Sequence, residues 1–318
     1  MNFKWINGKI FFLAAVFLFG AGIAIFLKIG DKIPLEGEKV HILKNPGIAV
    51  TDIKISYMET AYAETLEAFV FGGGSLFKPV RMSHNAVLIE HPSGSLLFDT
   101  GLGKDIDLQF RDMPLWAIPV FQYKKIYSAK EILEKNGKAV ERIFLSHLHF
   151  DHASGIEDFP ESDINTTQTE LNFARSEEAR PPAFLSSQYD GRISWKIIEF
   201  TSGPYEIFEK SFDLFGDGSI VFVPLQGHSP ESLGMFINRS PDERYFFTGD
   251  ITWHLKGLTN PSEKNLLAGY WVDFSRMKTR DEIRKIFFLL KEKPEIKAVP
   301  AHDGSAYVNF TEITHERK

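Results

Sequence analysis

Cysteine is absent from all 318 residues of the sequence. This absence excludes disulfide bonds, zinc sites with thiolate ligands, cysteine nucleophiles and anchoring through an acylated cysteine. Any metal site in the chain must therefore use histidine nitrogen and carboxylate oxygen. A chain without thiols is also compatible with an oxidising compartment.

A strongly basic character is missing as well. Lys and Arg number 36 against 42 Asp and Glu, which gives a net charge of −6. Nucleic-acid-binding proteins neutralise phosphates with clustered Lys and Arg, so we expect no nucleic-acid partner. The chain is 43% hydrophobic, which is enough for a sizeable core in one large domain or two smaller ones.

One long apolar run is present at residues 10–27, with Lys4 and Lys9 before it. Its length is near the lower limit for a helix that spans a bilayer. A buried core helix would normally be amphipathic, whereas this run is apolar on every face. The alternatives are an uncleaved transmembrane anchor, which the apolar residues after position 24 favour, and a cleaved signal peptide.

The expected organisation is a membrane anchor or signal segment at 1–29, a linker at 30–38 and one large domain at 39–318. We expect a single pass through the cytoplasmic membrane, with the large domain on the non-cytoplasmic side. Cleavage of the segment would instead give a secreted or periplasmic protein.

The densest group of polar residues is the stretch Ser-His-Leu-His-Phe-Asp-His at 146–152. It follows a short apolar strand predicted over 141–145. Zinc prefers imidazole nitrogen and carboxylate oxygen. Because alternate residues of an extended chain share one face, His147 and His149 can bind one metal, and Asp151 and His152 can face a second.

Other polar residues occur in the same context, directly after a predicted strand. His228 follows a strand over 220–225, His302 follows one over 296–299, and Asp250 follows an apolar stretch that ends at Gly249. This repeated placement indicates that the side chains converge at one edge of a sheet. Asp99 follows the second strand of a hairpin predicted over 86–90 and 95–98. It could orient a metal-bound histidine without itself binding the metal.

The motifs FDTG at 98–101, HLHFDH at 147–152, GHSP at 227–230, TGD at 248–250 and AHD at 301–303 occur in the order typical of the metallo-β-lactamase superfamily. The chain resembles this superfamily over about 39–302. Residues 40–43, similar to an opening strand, and residues 88–101 resemble the N-acyl-homoserine lactonase-like branch. The resemblance implies an α+β fold, an αββα sandwich of two mixed sheets between helices, with the metals at one edge.

The resemblance also implies a ligand set. His147, His149 and His228 would hold the first metal, a second set would hold the second metal, and Asp250 would bridge the two. The second set is Asp151, His152 and His302. We expect two Zn²⁺ ions, with Fe, Mn or Co as alternatives. The glutamate that diiron relatives carry at position 149 is absent, which disfavours redox chemistry. No role is predicted for the five remaining histidines: His41, His84, His91, His254 and His315.

The implied reaction is hydrolysis of a small molecule. Two metals can share a water and lower its pKa toward about 7, and the bridging hydroxide would open a lactone or another ester. Asp151 or Asp250 could pass a proton to the leaving oxygen. The same site could instead act on a β-lactam, a thioester or a phosphodiester. A catalytically idle metal-binding protein is a further alternative.

One residue departs from the lactonase pattern. Those enzymes place a tyrosine three residues after the bridging aspartate, whereas this chain has Trp253. Indole can donate only through its N–H. We expect Trp253 to form an apolar wall, and His254 or Tyr270 to supply the missing donor.

Two other segments give local predictions. The aromatic stretch at 108–127 contains two prolines and could be a lid, a membrane-contacting loop or part of the core. Thr279 and Glu282 form a capping-box pattern, which predicts a helix start at this point.

Overall fold

The computed structural model of the protein describes residues 20, 22, 32–35, 40–43, 51–179, 182–189, 191 and 193–316. The apolar segment predicted at 10–27 lies outside the described residues, apart from Gly20 and Gly22. Within the described part, no helix is both long enough and apolar enough to cross a bilayer.

Thirteen strands lie in the described part of the chain. They are β1 Lys54–Leu66, β2 Pro79–Glu90, β3 Leu96–Phe98, β4 Lys124–Lys125, β5 Arg142–Phe144, β6 Asp163–Thr166, β7 Ser194–Ile197, β8 Phe212–Asp213, β9 Ile220–Leu225, β10 Ser232–Ser240, β11 Glu243–Gly249, β12 Ile296–Pro300 and β13 Thr311–Glu312.

Eight α-helices accompany them among the same residues. They are α1 Glu67–Val70, α2 Ile106–Gln109, α3 Ala129–Lys135, α4 Phe150–Ala153, α5 Gln168–Ala174, α6 Leu255–Thr259, α7 Leu266–Val272 and α8 Arg276–Glu292.

The strands form two mixed sheets. The first has the order β13-β1-β2-β3-β5-β6-β7, with β4 paired to β1, and the second has the order β12-β11-β10-β9-β8. The hairpin predicted in the first half of the chain is present as the antiparallel pair β2 and β3. Beyond β3, strands β5, β6 and β7 run parallel to one another.

Alternate residues of β9 show how the layers are packed. Ile220 and Phe222 belong to a core that joins the two sheets, whereas Val221 and Val223 pack on the opposite face with residues of α8. Helices α3 and α5 cover the outer face of the first sheet in the same way. The described residues therefore form the four-layer α+β arrangement that the resemblance implies.

Strand direction brings the predicted motifs together at one end of the sandwich. β3 and β5 are parallel neighbours, so Asp99 and His147 leave the first sheet at the same edge. β11 and β12 are also parallel, so Asp250 and His302 leave the second sheet together. β9 runs in the direction of β11 because both are antiparallel to β10, and it is followed by His228.

Three local predictions need correction. Residues 40–43 do not lie in a strand; the backbone N–H of Leu43 donates to the carbonyl of Glu206 at 2.7 Å. β2 begins at Pro79, seven residues before the predicted start. The capping box at Thr279 and Glu282 is wrong, because α8 begins at Arg276 and the Ser275 side chain caps it.

Candidate metal centre

Asp99 occupies a strained position at the end of β3. Its φ of 58° lies in the left-handed region, which is unusual for a non-glycine residue and often marks a functional site. Its carboxylate accepts from the Ser146 N–H at 2.6 Å and the Ser146 hydroxyl at 2.8 Å, and contacts His152 Nδ1 at 2.8 Å. These three contacts fix the Asp99 carboxylate next to the histidine motif.

The first group of imidazoles consists of His147, His149 and His228, all buried. Their rings meet edge to face, with centroids 4.4–4.6 Å apart. The Nε2 atoms of His147 and His228 are 3.1 Å apart. The arrangement brings the three predicted ligands of the first metal within reach of one ion.

The second part of the centre surrounds Asp250. Its Oδ2 lies 3.0 Å from His302 Nε2 and 3.5 Å from His228 Nε2, and its Oδ1 lies 3.5 Å from His152 Nε2. Asp151 Oδ2 is 3.4 Å from His302 Nε2. Asp250 therefore contacts histidines from both predicted sets, as a bridging ligand would.

The structure differs from the implied ligand set in two details. His152 groups with His147 and Asp250, whereas Asp151 and His302 group with another histidine, His84. No role was predicted for His84 from the sequence.

Each of four histidines has its Nδ1 held by a neighbouring group, so its Nε2 faces the centre. His152 uses Asp99, and His228 uses Asp273 at 2.7 Å. His302 Nδ1 donates to the Ser83 carbonyl at 2.7 Å, and His147 Nδ1 contacts the Ser146 hydroxyl. Such contacts fix the tautomer and ring orientation of metal-binding histidines.

Unpaired buried atoms show that a metal fits this site. His149 Nε2, His152 Nε2 and Asp250 Oδ1 are buried without a hydrogen-bond partner among the described residues. Buried polar atoms are nearly always paired, and two imidazole nitrogens at 3.1 Å need a proton or a cation between them. A divalent ion would satisfy these atoms together.

The protonation states also suit metal binding. Burial holds the pKa of His147 and of His149 well below the ordinary value, and the neighbouring histidines lower both further. Burial and then Lys264 lower the pKa of His228. Metal ligands must be neutral imidazoles, so these three histidines are available without a large cost of deprotonation.

The carboxylates remain ionised despite their burial. Burial by itself would raise the pKa of Asp250, but His302 and His152 lower it well below its usual range. Burial acts in the same direction on Asp151, and there His152 and His84 outweigh it, so the pKa falls. Both aspartates can therefore act as anionic ligands.

Glu170 connects two loops of the centre. It is fully buried and accepts from the Leu148 N–H at 3.0 Å and from the Ser229 hydroxyl at 2.7 Å. Gly227 at φ +123° lies so close to α8 that a Cβ would meet Thr279 N at 2.2 Å. Ser229 thus serves as a structural turn residue, and Glu170 holds the loop of His149 against the loop of His228.

An apolar cavity of about 160 Å³ opens beside this cluster. His84 and His302 form part of its wall. The apolar lining includes Phe69, Met82, Phe121, Phe150, Trp253 and Trp271. Engineered cavities of about this size bind a benzene ring, so the space suits a small molecule.

The aromatic segment at 108–127 contributes to both core and cavity. Met113 and Ala117 are buried against Phe150, and Pro119 to Gln122 line the cavity. Leu115 is 87% exposed. The segment is therefore core filling and cavity wall at once, with an apolar outer surface.

Trp253 lines the cavity as expected, and its N–H is already engaged. Nε1 donates to Asp250 Oδ2 at 2.7 Å, so the indole orients the carboxylate that contacts both histidine groups. The two residues expected to supply another donor lie elsewhere. Tyr270 is 79% exposed, and His254 contacts Asp303 at 3.0 Å; of the described residues, neither lines this cavity.

Several residues that contact the candidate centre were not predicted from the sequence. Asp273 supports His228 and also binds Lys264, whose Nζ is 2.8 Å from Asp273 Oδ1. His84 and Glu170 complete the group. Each is a single polar residue outside the motifs, and only Asp273, which follows the apolar residues 270–272, carried a local signal.

The fold and site define a metal-dependent hydrolase with its centre at the edge of a two-sheet sandwich. The sequence model of the metallo-beta-lactamase superfamily matches residues 79–302, and the chain belongs to this superfamily.

A sequence relative is the N-acyl homoserine lactonase AttM of Rhizobium radiobacter. It is 23% identical over 175 residues, which cover 54% of this chain and 61% of the relative. The match therefore spans less than two thirds of that relative's length.

Two solved structures share the fold. An N-acyl homoserine lactone hydrolase with N-hexanoyl-L-homoserine at its catalytic metal centre has a TM-score of 0.62 and 18% identity, covering 81% of this chain and 95% of that one. AidC, a dizinc quorum-quenching lactonase, has a TM-score of 0.55 and 17% identity, covering 81% and 90%. At these identities the likeness establishes the fold alone.

Proposed function

We propose that this chain is a dinuclear zinc hydrolase that opens a lactone or a related ester of a small molecule. The observation that carries the proposal is the convergence of the motif histidines and aspartates, several with unpaired buried atoms, beside an apolar cavity whose wall includes His302. The similarity to N-acyl homoserine lactonases favours a lactone over other esters.

The proposed ligand sets follow the motif order. His147, His149 and His228 hold the first zinc, and Asp250 lies between the two positions. The second zinc is held by Asp151, His152 and His302. When bound, the ions supply a water of lowered pKa and a Lewis acid for the carbonyl. Fe, Mn and Co remain alternative metals, because imidazole and carboxylate also suit them.

Asp151 is the better candidate to carry a proton to the leaving oxygen. Its side chain is 12% exposed, against 4% for Asp250. Asp250 also accepts the Trp253 N–H, which leaves it less free to exchange protons. Asp151 therefore combines an ionised carboxylate with partial exposure beside His84 and His302 of the cavity wall, and Asp250 keeps the position of a shared ligand.

The cavity wall favours a particular kind of group attached to the reacting ester. Phe121, Phe150 and Trp271 present apolar surface next to the metal positions. Such a wall favours an ester with an apolar chain, because burying apolar surface stabilises the complex by about 25 cal/mol per Å². It also excludes bulk water from the reacting carbonyl.

The test is proton release in a pH-stat by the zinc-loaded full-length chain, with homoserine lactones of short and long acyl chains. Ring opening near neutral pH releases one proton for each lactone. We expect release that His149→Ala abolishes and that His41→Ala, at an exposed histidine, leaves unchanged.

A chain that binds two zinc ions and releases no proton from any lactone would contradict the lactone assignment. This negative outcome is a real alternative, because the chain has Trp253 where the lactonases place a tyrosine. Thioesters, β-lactams and phosphodiesters would then be tried with the same variants. Metal binding without turnover of any of them would favour an idle metal-binding protein.

We further propose that residues 10–27 anchor the chain in the cytoplasmic membrane, with the hydrolase on the non-cytoplasmic side. The support is the uncharged apolar run after Lys4 and Lys9. Intact mass and membrane fractionation test this proposal: a full-length mass in the membrane fraction supports an anchor, and loss of the first residues from a released protein indicates a cleaved signal.

A further inference from the structure

We propose that His84 is an additional ligand of the second metal, which it binds through Nδ1 beside Asp151 and His302. The inference rests on the proposed dinuclear centre and adds to it a histidine that none of the motifs contains.

The backbone holds His84 firmly at the centre. His84 lies within β2, and both its neighbours bond to the loop that carries His302. The Ser83 N–H donates to the His302 carbonyl at 3.1 Å, and the Ser83 carbonyl accepts from His302 Nδ1 at 2.7 Å. Asn85 Nδ2 donates to the Ala301 carbonyl at 3.2 Å. The position of His84 relative to His302 is thus fixed from both sides.

The ligand atoms converge as the atoms of one metal site would. His84 Nδ1 is 3.2 Å from Asp151 Oδ2, which is 3.4 Å from His302 Nε2, and the ligand atoms of the group all lie within 4.8 Å of one another. The rings of His84 and His302 meet at 78° with centroids 5.1 Å apart. The rings of His147 and His228, in the first group, also meet at 78°.

The unpaired nitrogen of His84 carries the argument. Nδ1 is buried and, like His149 Nε2 and His152 Nε2, has no neighbour among the described residues in hydrogen-bonding geometry. The atom near it, Asp151 Oδ2 at 3.2 Å, belongs to the same candidate metal group. His84 and His91 are 7% and 6% exposed, yet both ring nitrogens of His91 are paired, with the Ser93 N–H and the Ser219 hydroxyl. A buried histidine with a purely structural role pairs its nitrogens, as His91 does, whereas His84 resembles the metal-site histidines.

The consequence is a second position richer in ligands than the first. With His84 it offers three imidazoles and the carboxylates of Asp151 and Asp250. Such a set exceeds the four ligands of an ordinary zinc site and suits five or six coordination. Because His84 belongs to this group and not to the group of His147, His149 and His228, its loss should weaken the second ion selectively.

The direct test is a crystal structure of the zinc-loaded full-length chain, with anomalous scattering at the zinc edge. We expect His84 Nδ1 at about 2.0–2.1 Å from the second zinc. An Nδ1 that instead donates to Asp151, with no ion closer than about 3 Å, would overturn the proposal.

A solution test compares His84→Gln with His91→Gln, a matched buried histidine, by competition with a zinc chelator. We expect His84→Gln to weaken the second zinc more than about tenfold and to leave the first unchanged, while His91→Gln affects neither. Two zinc ions bound by His84→Gln as tightly as by the unmodified chain would contradict the inference. The crystal structure decides the matter if the variant does not fold.

The two proposals fail in different ways. An unmodified chain that binds no zinc would remove the dinuclear centre and the role of His84 together. An unmodified chain that binds two zinc ions with His84 outside bonding distance would remove only the role of His84.

Discussion

The two proposed metal positions are built from different chemistry. The first contains three buried imidazoles from the His147 and His228 loops, and none of its side chains lines the cavity. The second contains the partly exposed carboxylate of Asp151, and its histidines His84 and His302 form part of the cavity wall. The first position is therefore closed, and the second faces the space in which a substrate would lie.

The supports behind the histidines differ too. In the first position, the Nδ1 of His228 contacts Asp273, which also binds the buried Lys264. In the second, the Nδ1 of His302 donates to the neutral carbonyl of Ser83. Each position also has a support of the other kind, since His152 of the second contacts the Asp99 carboxylate and His147 of the first contacts the Ser146 hydroxyl. The feature particular to the first position is therefore the buried ion pair between Asp273 and Lys264, whose loss should lower the stability of the fold.

Replacing Asp250, the proposed ligand of both metals, should impair both positions at once and have the largest effect on hydrolysis. In Asp250→Asn the shared carboxylate loses its charge beside His302 and His152. We expect the rate of hydrolysis to fall by about 1,000-fold or more. Removal of a single hydrogen-bond donor to a transition state costs up to about 1,000-fold, and a shared metal ligand should matter at least as much. Initial rates at saturating zinc measure the effect. Asp242→Asn, at an exposed turn, is the control, and equal rates for the two variants would contradict a shared ligand.

Removing the support of the first position should act mainly on stability. Asp273→Ala leaves Lys264, whose side chain is 0% exposed, without its buried ion-pair partner. Breaking such a pair costs about 3–5 kcal/mol of unfolding free energy. Chemical denaturation of the metal-free chain measures this loss. Glu134→Ala, which breaks an exposed pair with Lys130, should cost no more than about 0.5 kcal/mol; a similar loss for both variants would show that Lys264 is not held in a buried pair.

The indole that touches the shared carboxylate should affect the reaction without affecting the metals. Trp253→Phe keeps the apolar wall and removes the N–H that donates to Asp250. A hydrogen bond to a charged group contributes about 1.5–3 kcal/mol, so we expect kcat to fall by about 10- to 150-fold. Metal content should stay at two ions. Trp116→Phe, at a half-exposed tryptophan, is the matched control, and unchanged kcat in both would mean that the indole N–H has no part in the reaction.

A different division, which crosses both positions, separates the residues that the sequence could predict from those that it could not. His147, His228 and His302 each follow a short apolar strand, so a local pattern marks them, and parallel strand direction brings them to one edge. The superfamily resemblance then supplied the pairing between distant motifs. The convergence of these histidines could therefore be predicted without knowing how individual side chains pack.

His84, Asp273 and Lys264 could not be found in this way. His84 lies within a long strand whose predicted start was Ala86, and only pairing with the His302 loop gives it a position in the centre. Asp273 and Lys264 meet His228 through loops that share no motif with it. Their roles depend on tertiary contacts, and a linear pattern does not encode those contacts.

The cap of α8 shows the same limit at the level of secondary structure. The pattern at Thr279 fits an N-terminus, but the Ser275 N–H donates to the Gly227 carbonyl at 2.8 Å and its hydroxyl caps the helix. A contact with the loop of His228 therefore selects the earlier start. Thr279 then lies inside the helix, where its hydroxyl donates to the Ser275 carbonyl at 3.1 Å.

The smallest expected effect is a difference in the pH at which the two metals are released. Acidification should release the metal of the second position first. Burial and neighbouring histidines depress the pKa of His147 and His149. Burial opposes the charged form of His152 and His302 as well, but Asp99 and Asp250 raise the pKa of His152, and Asp250 raises that of His302. Protons compete with metals for imidazole nitrogen, so they compete more strongly at the second position.

In the metal-free chain the two groups also act on stability with opposite sign. The depressed pKa of His147 and His149 means that their stability contribution is lost as the pH falls below the ordinary histidine value of about 6.5. The raised pKa of His152 and His302 gives a contribution that is present below that value and is lost as the pH rises through the folded-state pKa.

We therefore expect stepwise dialysis from pH 8 downward to release one equivalent of zinc before the other. The equivalent that remains should have imidazole ligands from the first position, which X-ray absorption of the partly depleted protein can identify. His41→Ala, at a histidine remote from the motifs, should follow the same course. Release of the three-histidine equivalent first, or of both together, would mean that the carboxylates of the second position outweigh the proton competition at His152 and His302.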